Sequence, residues 1–381
     1  MSIEKKIALI ELSRHNEVLH AYIDMFSRLD CEIYCYTNSF CQTQIQLIDT
    51  FTNVHWIIID GKNYYNELET IELEFDKLIF ITVDPVLEQL PKKFLSIKTT
   101  LVLHDIHAYT LPTKYFHLWR QSFIQSLKNV VKWSIYILLN KQNYTKQLID
   151  SECQYALPTN ETKSYFDKLT CHVNNSHTLN FAVPKYKSKI YKRPYVNITI
   201  PGNISDKNRD YDLLLRAIKL LDINVDINFN FLGDNKSYYA KRIMKKIDKI
   251  SRQGLRFYFY NGFIEQKQFD DILRDSDFLI LPFKKTMHYQ IFKERMGYSC
   301  VSGSINDMVR FSIPSLIPKF YPLDNGLDKF TEQFESAIEL AFHINAWITN
   351  KEYNKLKMEI DKTMPNYMAT VHNNFIKYLK D

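Results

Sequence analysis

The sequence predicts an α/β protein of two doubly wound domains, each a parallel sheet with helices on both faces. Three observations lead there. Short apolar runs of strand length alternate with amphipathic helical stretches from one end of the chain to the other. The alternation breaks once, at Ala182-Val183-Pro184-Lys-Tyr-Lys-Ser-Lys-Ile-Tyr-Lys-Arg-Pro194, a basic connector bounded by prolines. Beyond it a second strand–helix series begins.

In the first series the expected strands are residues 7–10, 32–36, 55–59, 78–83, 101–104 and 135–139. Amphipathic stretches at 18–29, 42–51, 86–94 and 115–131 lie between them. In the second, strands are expected at 196–200, 227–232, 255–260 and 278–281, and helices at 211–221, 237–251 and 266–274. The stretch 332–379 reads as mostly helical, kinked or broken at Pro365. The domain expectation is therefore 1–183, a linker at 184–194, a second domain at 195–350 and terminal helices at 351–381. There is no short-period repeat and no low-complexity tract.

Composition bounds the function. The chain has 381 residues, 45% of them hydrophobic and 24% charged, enough for two sizeable cores. Its 49 Lys+Arg against 43 Asp+Glu give a formal charge of +6, too mild an excess for a nucleic-acid binder. The six cysteines, Cys31, Cys35, Cys41, Cys153, Cys171 and Cys300, are scattered without a Cys-x-x-Cys, as reduced and buried thiols would be. No signal peptide precedes the first strand, and the most apolar helical stretch, 130–139, falls short of the ~20 residues that span a bilayer. The expectation is a cytoplasmic protein, soluble or resting on the inner face of the plasma membrane. The aromatic and basic helix around 115–133 is the candidate for such contact, and packing against the sheet is its other explanation.

The most informative stretch runs from Ser299 to Pro318. Ser302, Gly303 and Ser304 form a small hydroxyl-bearing turn, where Ser302 or Ser304 can cap a helix whose Ile305, Met308 and Val309 share a face. Pro314 stops that helix, and a short buried strand follows up to Pro318. Unpaired N–H groups at such a start suit phosphate, and Asp307 could reach a ribose diol beside it. Arg310, deeper in the helix, is expected to face solvent.

This pattern resembles the nucleotide-binding loop of GT-B glycosyltransferases, which have two Rossmann-like domains. Many of those enzymes carry an acid seven positions before the proline ending the helix, and here that acid is Asp307. The resemblance gives Asp307 the donor's ribose hydroxyls. It also implies C-terminal helices that cross back to the first domain. The family's Glu-x7-Glu pair is incomplete, because Ser299 stands where its first acid would be and Glu294 is the nearest upstream acid. Further pieces follow the family's order. Gly202, Asn203, Lys207 and Arg209, in Pro201-Gly-Asn-Ile-Ser-Asp-Lys-Asn-Arg-Asp-Tyr-Asp-Leu-Leu, resemble its diphosphate-binding Gly-Arg…Lys-Gly segment, with Asn203 in place of the Arg and Arg209 matching the Lys. Gly233 ends one strand, and Asn261-Gly262 ends the next, where the family contacts the base.

In the first half, Glu11-Leu-Ser-Arg-His15-Asn-Glu17 follows the first strand, at the edge where doubly wound folds bind ligands. His15 could act as general base with Glu11 or Glu17 orienting it, or be a polar helix start. His104-Asp105 resembles the His-Asp that closes a central strand in many first domains of the family, so either could face a cleft; a core His and a capping Asp are the alternatives. The triplets Asp210-Tyr-Asp212 and Asp275-Ser-Asp277 do not follow a strand, where a metal-holding Asp-x-Asp would stand: one begins a helix and the other precedes a strand. No obligatory metal and no cofactor are expected, the nucleotide-sugar being substrate. The reading is a glycosyltransferase acting on a carbohydrate or lipid-linked acceptor in surface-polysaccharide synthesis. Its alternatives are a catalytically silent GT-B-like subunit that activates a partner, and a sugar-nucleotide epimerase of the same fold.

Overall fold

The computed structural model describes residues 5–60, 74–83, 90–110, 123–139, 141–170, 173–222, 225–260, 262, 264–289, 291–323 and 326–381. In chain order the elements of the first half are β1 (Lys6–Glu11), α1 (Asn16–Ser27), β2 (Glu32–Thr37), α2 (Ser39–Gln46), β3 (Val54–Ile58), β4 (Lys77–Phe80), β5 (Thr99–Val102), α3 (Ile106–Thr110), α4 (Phe123–Leu138), α5 (Lys141–Ile149), β6 (Gln154–Leu157), α6 (Asn160–Thr170) and β7 (Ser176–Thr178). The second half has β8 (Tyr195–Pro201), α7 (Tyr211–Lys219), β9 (Asp226–Leu232), α8 (Tyr238–Asp248), β10 (Leu255–Phe259), α9 (Gln266–Arg274), β11 (Phe278–Ile280), β12 (Thr286–Tyr289), β13 (Phe292–Arg295), α10 (Gly303–Arg310), β14 (Ser315–Pro318), β15 (Thr331–Phe334), α11 (Ala337–Asn350) and α12 (Glu352–Lys380).

The chain folds into two compact units. Unit 1 comprises Met1–Phe181, His288–Val301 and Val371–Asp381; unit 2 comprises Ala182–Met287 and Ser302–Thr370. Unit 1 holds a seven-stranded sheet in the order β3-β2-β1-β4-β5-β6-β7, and unit 2 a six-stranded sheet in the order β10-β9-β8-β11-β14-β15. Neighbouring strands run parallel, with registers such as Ile10↔Tyr36 in unit 1 and Ile198↔Phe229 in unit 2. Covered on both faces, β1 and β4 read as apolar runs with little alternation, as parallel strands do, whereas β8 and β9 alternate apolar residues with Asn197, Thr199, Asn228 and Asn230 although they too are buried. Helix α7 shows the opposite logic. Tyr211, Leu214, Leu215 and Ile218 fall on its buried side, and the Asp210 side chain caps it by accepting from the Leu213 N–H at 2.9 Å. All five cysteines among the described residues are buried and free; Cys171 lies outside them.

Four expectations need correction. Residues 135–139 are not a strand, because Ile135–Leu138 form the last turn of α4, where Asn129 and Tyr136 face inward one helical repeat apart. Strand propensity in that aliphatic run loses to the longer 3.6-residue pattern. Pro365 neither breaks nor ends α12. Its ring is on the exposed side, while Tyr367, Val371, Phe375 and Tyr378 hold the helix down at i, i+4 and i+3 spacings. Residues 331–334 form an edge strand beside β14 and not a helix start. Finally, His288–Val301 belongs with unit 1, where β13 packs on α3, although the sequence places it inside the second domain.

Candidate functional site

In a doubly wound sheet the strand order reverses at one point, and ligands bind outside the C-terminal strand ends there. In unit 2 that point lies between β8 and β11. The chain leaves β8 through Gly202, whose φ of 97° suits glycine. A Cβ on Gly202 would collide with the Arg209 guanidinium, and one on Gly233 would stand 2.3 Å from the Gly202 backbone. The two glycines therefore let the turns after β8 and β9 close on each other and leave room for Arg209. The Asn203 side chain ties the same turns together by accepting from the Asp234 N–H at 3.1 Å. That bond occupies Asn203 Oδ1 and fixes the side chain beside Gly202.

Arg209 is the centre of the site. It is 3% exposed and sits over the Phe283 ring, 5.7 Å from its centroid. Nε donates to the Pro201 carbonyl at 3.1 Å, and Nη2 donates to the same carbonyl and to Ser304 Oγ at 2.6 Å. None of these acceptors carries charge. Burial lowers the Arg209 pKa, and Tyr211 and Asp307 only oppose that shift. Nη1 is buried beside the Tyr211 hydroxyl; the pair falls short of good hydrogen-bond geometry, yet Tyr211 still acts on the guanidinium as a hydrogen-bonding neighbour and favours its charge. The Tyr211 pKa is itself pushed up to about 12, by burial first, with Arg209 acting the other way. A desolvated cation held only by neutral oxygens favours the approach of an anion.

The start of α10 adjoins it. Ser302 is the cap, its Oγ accepting from the Ser304 N–H at 3.3 Å. Ser304 does not cap; its hydroxyl donates to the Pro201 carbonyl at 3.1 Å and accepts from Arg209. Gly303 is exposed, has no left-handed backbone angle, and a Cβ there would meet nothing within 4 Å. Neither folding nor packing in this chain demands glycine at that place. Asp307, half-buried one turn on, acts electrostatically on Arg209.

Other expected donor residues stand apart. The Lys207 side chain is exposed. Gly262 adopts a φ of 81° with Lys236 Nζ 3.0 Å from where a Cβ would be. Asn261 lies outside the described residues. Arg310 does not face solvent: its Nη2 reaches Asp270 Oδ2 at 2.7 Å, and its guanidinium stacks near Tyr186 and Phe311. The Asp-x-Asp carboxylates are committed. Asp275 and Asp277 bind Arg193 at 2.6 and 2.9 Å, Asp277 also faces Lys357 at 3.4 Å, and Asp212 binds Lys246 at 2.5 Å.

In unit 1 the order reverses between β1 and β4. His15 and His104 meet there as stacked rings, 4.4 Å apart and 16° from parallel. His104 Nε2 lies 2.7 Å from the Ile81 carbonyl, so this nitrogen carries the proton. Burial, then the neighbouring His15, lower the His104 pKa to about 3, which leaves a neutral ring with little basicity. Glu11 does not orient His15 through the ring. Its buried carboxylate accepts from the Ser13 N–H at 2.6 Å, the His15 N–H at 3.4 Å and Thr82 Oγ1 at 2.6 Å. Burial raises the Glu11 pKa against those bonds. The exposed His15 is the better-placed base of the pair.

Asp105 belongs to a different cluster. Its backbone bridges to Cys300, and its charge acts on Glu294, whose pKa is raised well above the ordinary value by burial first. Glu294 accepts from the His107 and Ala108 N–H groups at 3.3 and 3.2 Å. The nearest acid upstream of Ser299 is thus bound to the start of α3. Sequence reasoning missed the tasks of Phe283, Tyr211 and Thr82. Phe283 carried a signal, since it directly follows the strand-ending Leu281-Pro282.

No family model matches the chain, and no curated protein matches it in sequence. Solved structures do. Similar ones include Anabaena HepE in complex with UDP and glucose, at 12% identity over 99% of this chain and 100% of that one with a TM-score of 0.60. A glycosyltransferase from Rickettsia africae matches at 9% identity over 99% and 98%, with a TM-score of 0.61. The pneumococcal O-GlcNAc transferase GtfA in complex with UDP and GlcNAc matches at 9% identity over 99% and 99%, with a TM-score of 0.58. With two parallel-sheet, Rossmann-like units and full-length likeness to these enzymes, the chain has the GT-B glycosyltransferase fold.

Proposed function

We propose that the chain transfers a glycosyl group from a nucleotide-activated sugar to a carbohydrate or lipid-linked acceptor. The observation that carries this is the buried Arg209 guanidinium, which meets only neutral oxygens, at the switch point of unit 2. The bond from the anomeric carbon to the diphosphate breaks as an acceptor oxygen bonds to that carbon. The leaving diphosphate gains charge, and the Arg209 guanidinium with the positive end of the α10 dipole receives it. Asp307 holds the ribose hydroxyls. His15 is the candidate base for the acceptor's proton. HepE solved with UDP-glucose and GtfA solved with UDP and GlcNAc support a UDP-linked donor. Transfer proceeds without a divalent ion, since Asp212, Asp275 and Asp277 are spent on Lys and Arg partners.

Incubating the protein with a panel of sugar nucleotides and following nucleoside-diphosphate release, with and without EDTA, tests this. Release that survives EDTA and consumes donor supports it. Release abolished by EDTA and restored by manganese overturns metal independence. One observation favours a second reading, a silent subunit that binds nucleotide and activates a partner: Ser299 replaces the upstream acid, and Glu294 is held by α3. Tight UDP binding with no release from any donor identifies that case.

A further inference from the structure

We infer that α4 (Phe123–Leu138) is a docking element that lies on an anionic membrane surface. The helix packs Tyr136 and Trp133 on the core of unit 1 and carries a second, aliphatic face on its outer side. Ser126 and Asn129 are 5% and 1% exposed and Tyr136 is 1% exposed, whereas Leu127, Val131, Ile135 and Leu138 are 55%, 51%, 49% and 82% exposed. At 100° per residue those four aliphatic side chains make one stripe, opposite the buried face. A soluble helix turns its aliphatic stripe to the core; a stripe turned outward marks an interaction surface.

Charge selects the partner. Lys128 and Lys132, both exposed, border the stripe along one side. No Asp or Glu occurs from Ile106 to Ile149, although the chain's 43 acids would place roughly five there by average density. Lysine and arginine recur through the same stretch. An aliphatic stripe with a lysine border and no acid fits a surface of acyl chains beneath anionic headgroups. Pairing with a second copy would oppose two acid-free basic faces, which charge disfavours. The helix lies on the surface and does not cross it. Its 16 residues reach about 24 Å at 1.5 Å each, and no helix among the described residues is long and apolar enough to span a bilayer.

The docking does not depend on glycosyl transfer, but its use, bringing the enzyme to a lipid-linked acceptor, rests on that reading. The test is sedimentation of the full chain with vesicles of phosphatidylcholine alone or with about a third phosphatidylglycerol, with UDP affinity measured on each preparation. The protein is expected to partition onto the anionic vesicles only. Lys128→Gln with Lys132→Gln should lower that partition about thirtyfold, a factor of about five per lysine. Ile135→Asp with Leu138→Asp should abolish it. Both variants should keep the wild-type UDP affinity, which shows that they fold. Equal partition onto both vesicle types, no partition at all, or a dimer in solution that Leu138→Asp dissociates would each overturn the inference. Vesicle binding without UDP binding would leave the docking standing and remove the transfer reading.

Discussion

Replacing Arg209 with methionine separates an anion-binding arginine from a structural one. Methionine keeps the length and apolar bulk of the side chain and removes the charge. In the unliganded protein the change loses three hydrogen bonds, two of them to one carbonyl that keeps the Ser304 hydroxyl as donor. Neutral bonds of this kind are worth about 0.5–1.5 kcal/mol net each. Against that stands relief from a buried guanidinium that no charged acceptor compensates; removing such charges for apolar groups is often neutral or stabilising by about 1–4 kcal/mol. The two effects offset, so stability without ligand should stay within about 2 kcal/mol of wild type. Donor binding has no such compensation. A charge-assisted bond to phosphate contributes about 1.5–3 kcal/mol, so UDP affinity should fall ten- to a hundredfold or more. Thermal melts read both at once. With UDP at a hundred times the wild-type Kd, ligand stabilises the wild type by about 2.7 kcal/mol. At the same concentration a variant with a hundredfold weaker Kd gains only about 0.4 kcal/mol. A Met variant that loses more than about 3 kcal/mol without ligand, yet keeps the full UDP-induced shift, would refute the reasoning.

Gly303→Ala places a methyl in open space and favours helix, so the melting temperature should hold or rise while UDP affinity, by calorimetry, drops at least tenfold. Asp307→Asn should weaken UDP binding ten- to a hundredfold with little change in melting; a stability loss with unchanged affinity would remove its ribose role. Arg310→Ala should do the reverse of Arg209→Met, because it leaves the nearly buried Asp270 carboxylate without its 2.7 Å cation: stability falls by about 3 kcal/mol in denaturant melts and UDP affinity is unchanged. His104 has a folded pKa of about 3, below its ordinary value of 6.5, so the unfolded chain takes up the proton first. Its contribution to stability is complete above pH 6.5 and is lost at about 1.4 kcal/mol per pH unit as pH falls toward 3, and His104→Gln should flatten that part of the stability–pH curve.

The strand–helix alternation is legible because parallel strands buried on both faces and helices buried on one differ in period, and Gln266–Arg274 appears with the bounds its pattern predicts. Where burial is not written in period, the sequence misleads. Beta-prone residues at 135–139 continue a helix, and the short β6 and β7 carry too few residues for a pattern. Pro365 reads as a kink or a break because the local cost of a lost N–H is visible in sequence, whereas the packing of Tyr367 and Val371 that keeps the helix continuous is not. Arg310 reads as solvent-facing from its place on α10, since its partner Asp270 lies 40 residues away. The turn at Ser302–Ser304 and the Arg209 segment are legible as pieces; that Ser304 and Arg209 share the Pro201 carbonyl is not, because the contact is between residues 95 apart.

The same long-range contacts bear on the proposed donor site, which departs from the family pattern it resembles. Asn203 stands where the family it resembles has an Arg, and its Oδ1 accepts from the Asp234 amide. The positive charge at the switch point in the proposed site therefore falls to one buried guanidinium and the dipole of α10. A single desolvated arginine is a weaker attractor at long range than two exposed cations, but its Coulomb term is screened less once an anion arrives. Donor affinity resting on Arg209 should thus depend little on salt. If affinity were instead carried by the exposed Lys207, it would fall steeply as ionic strength rises.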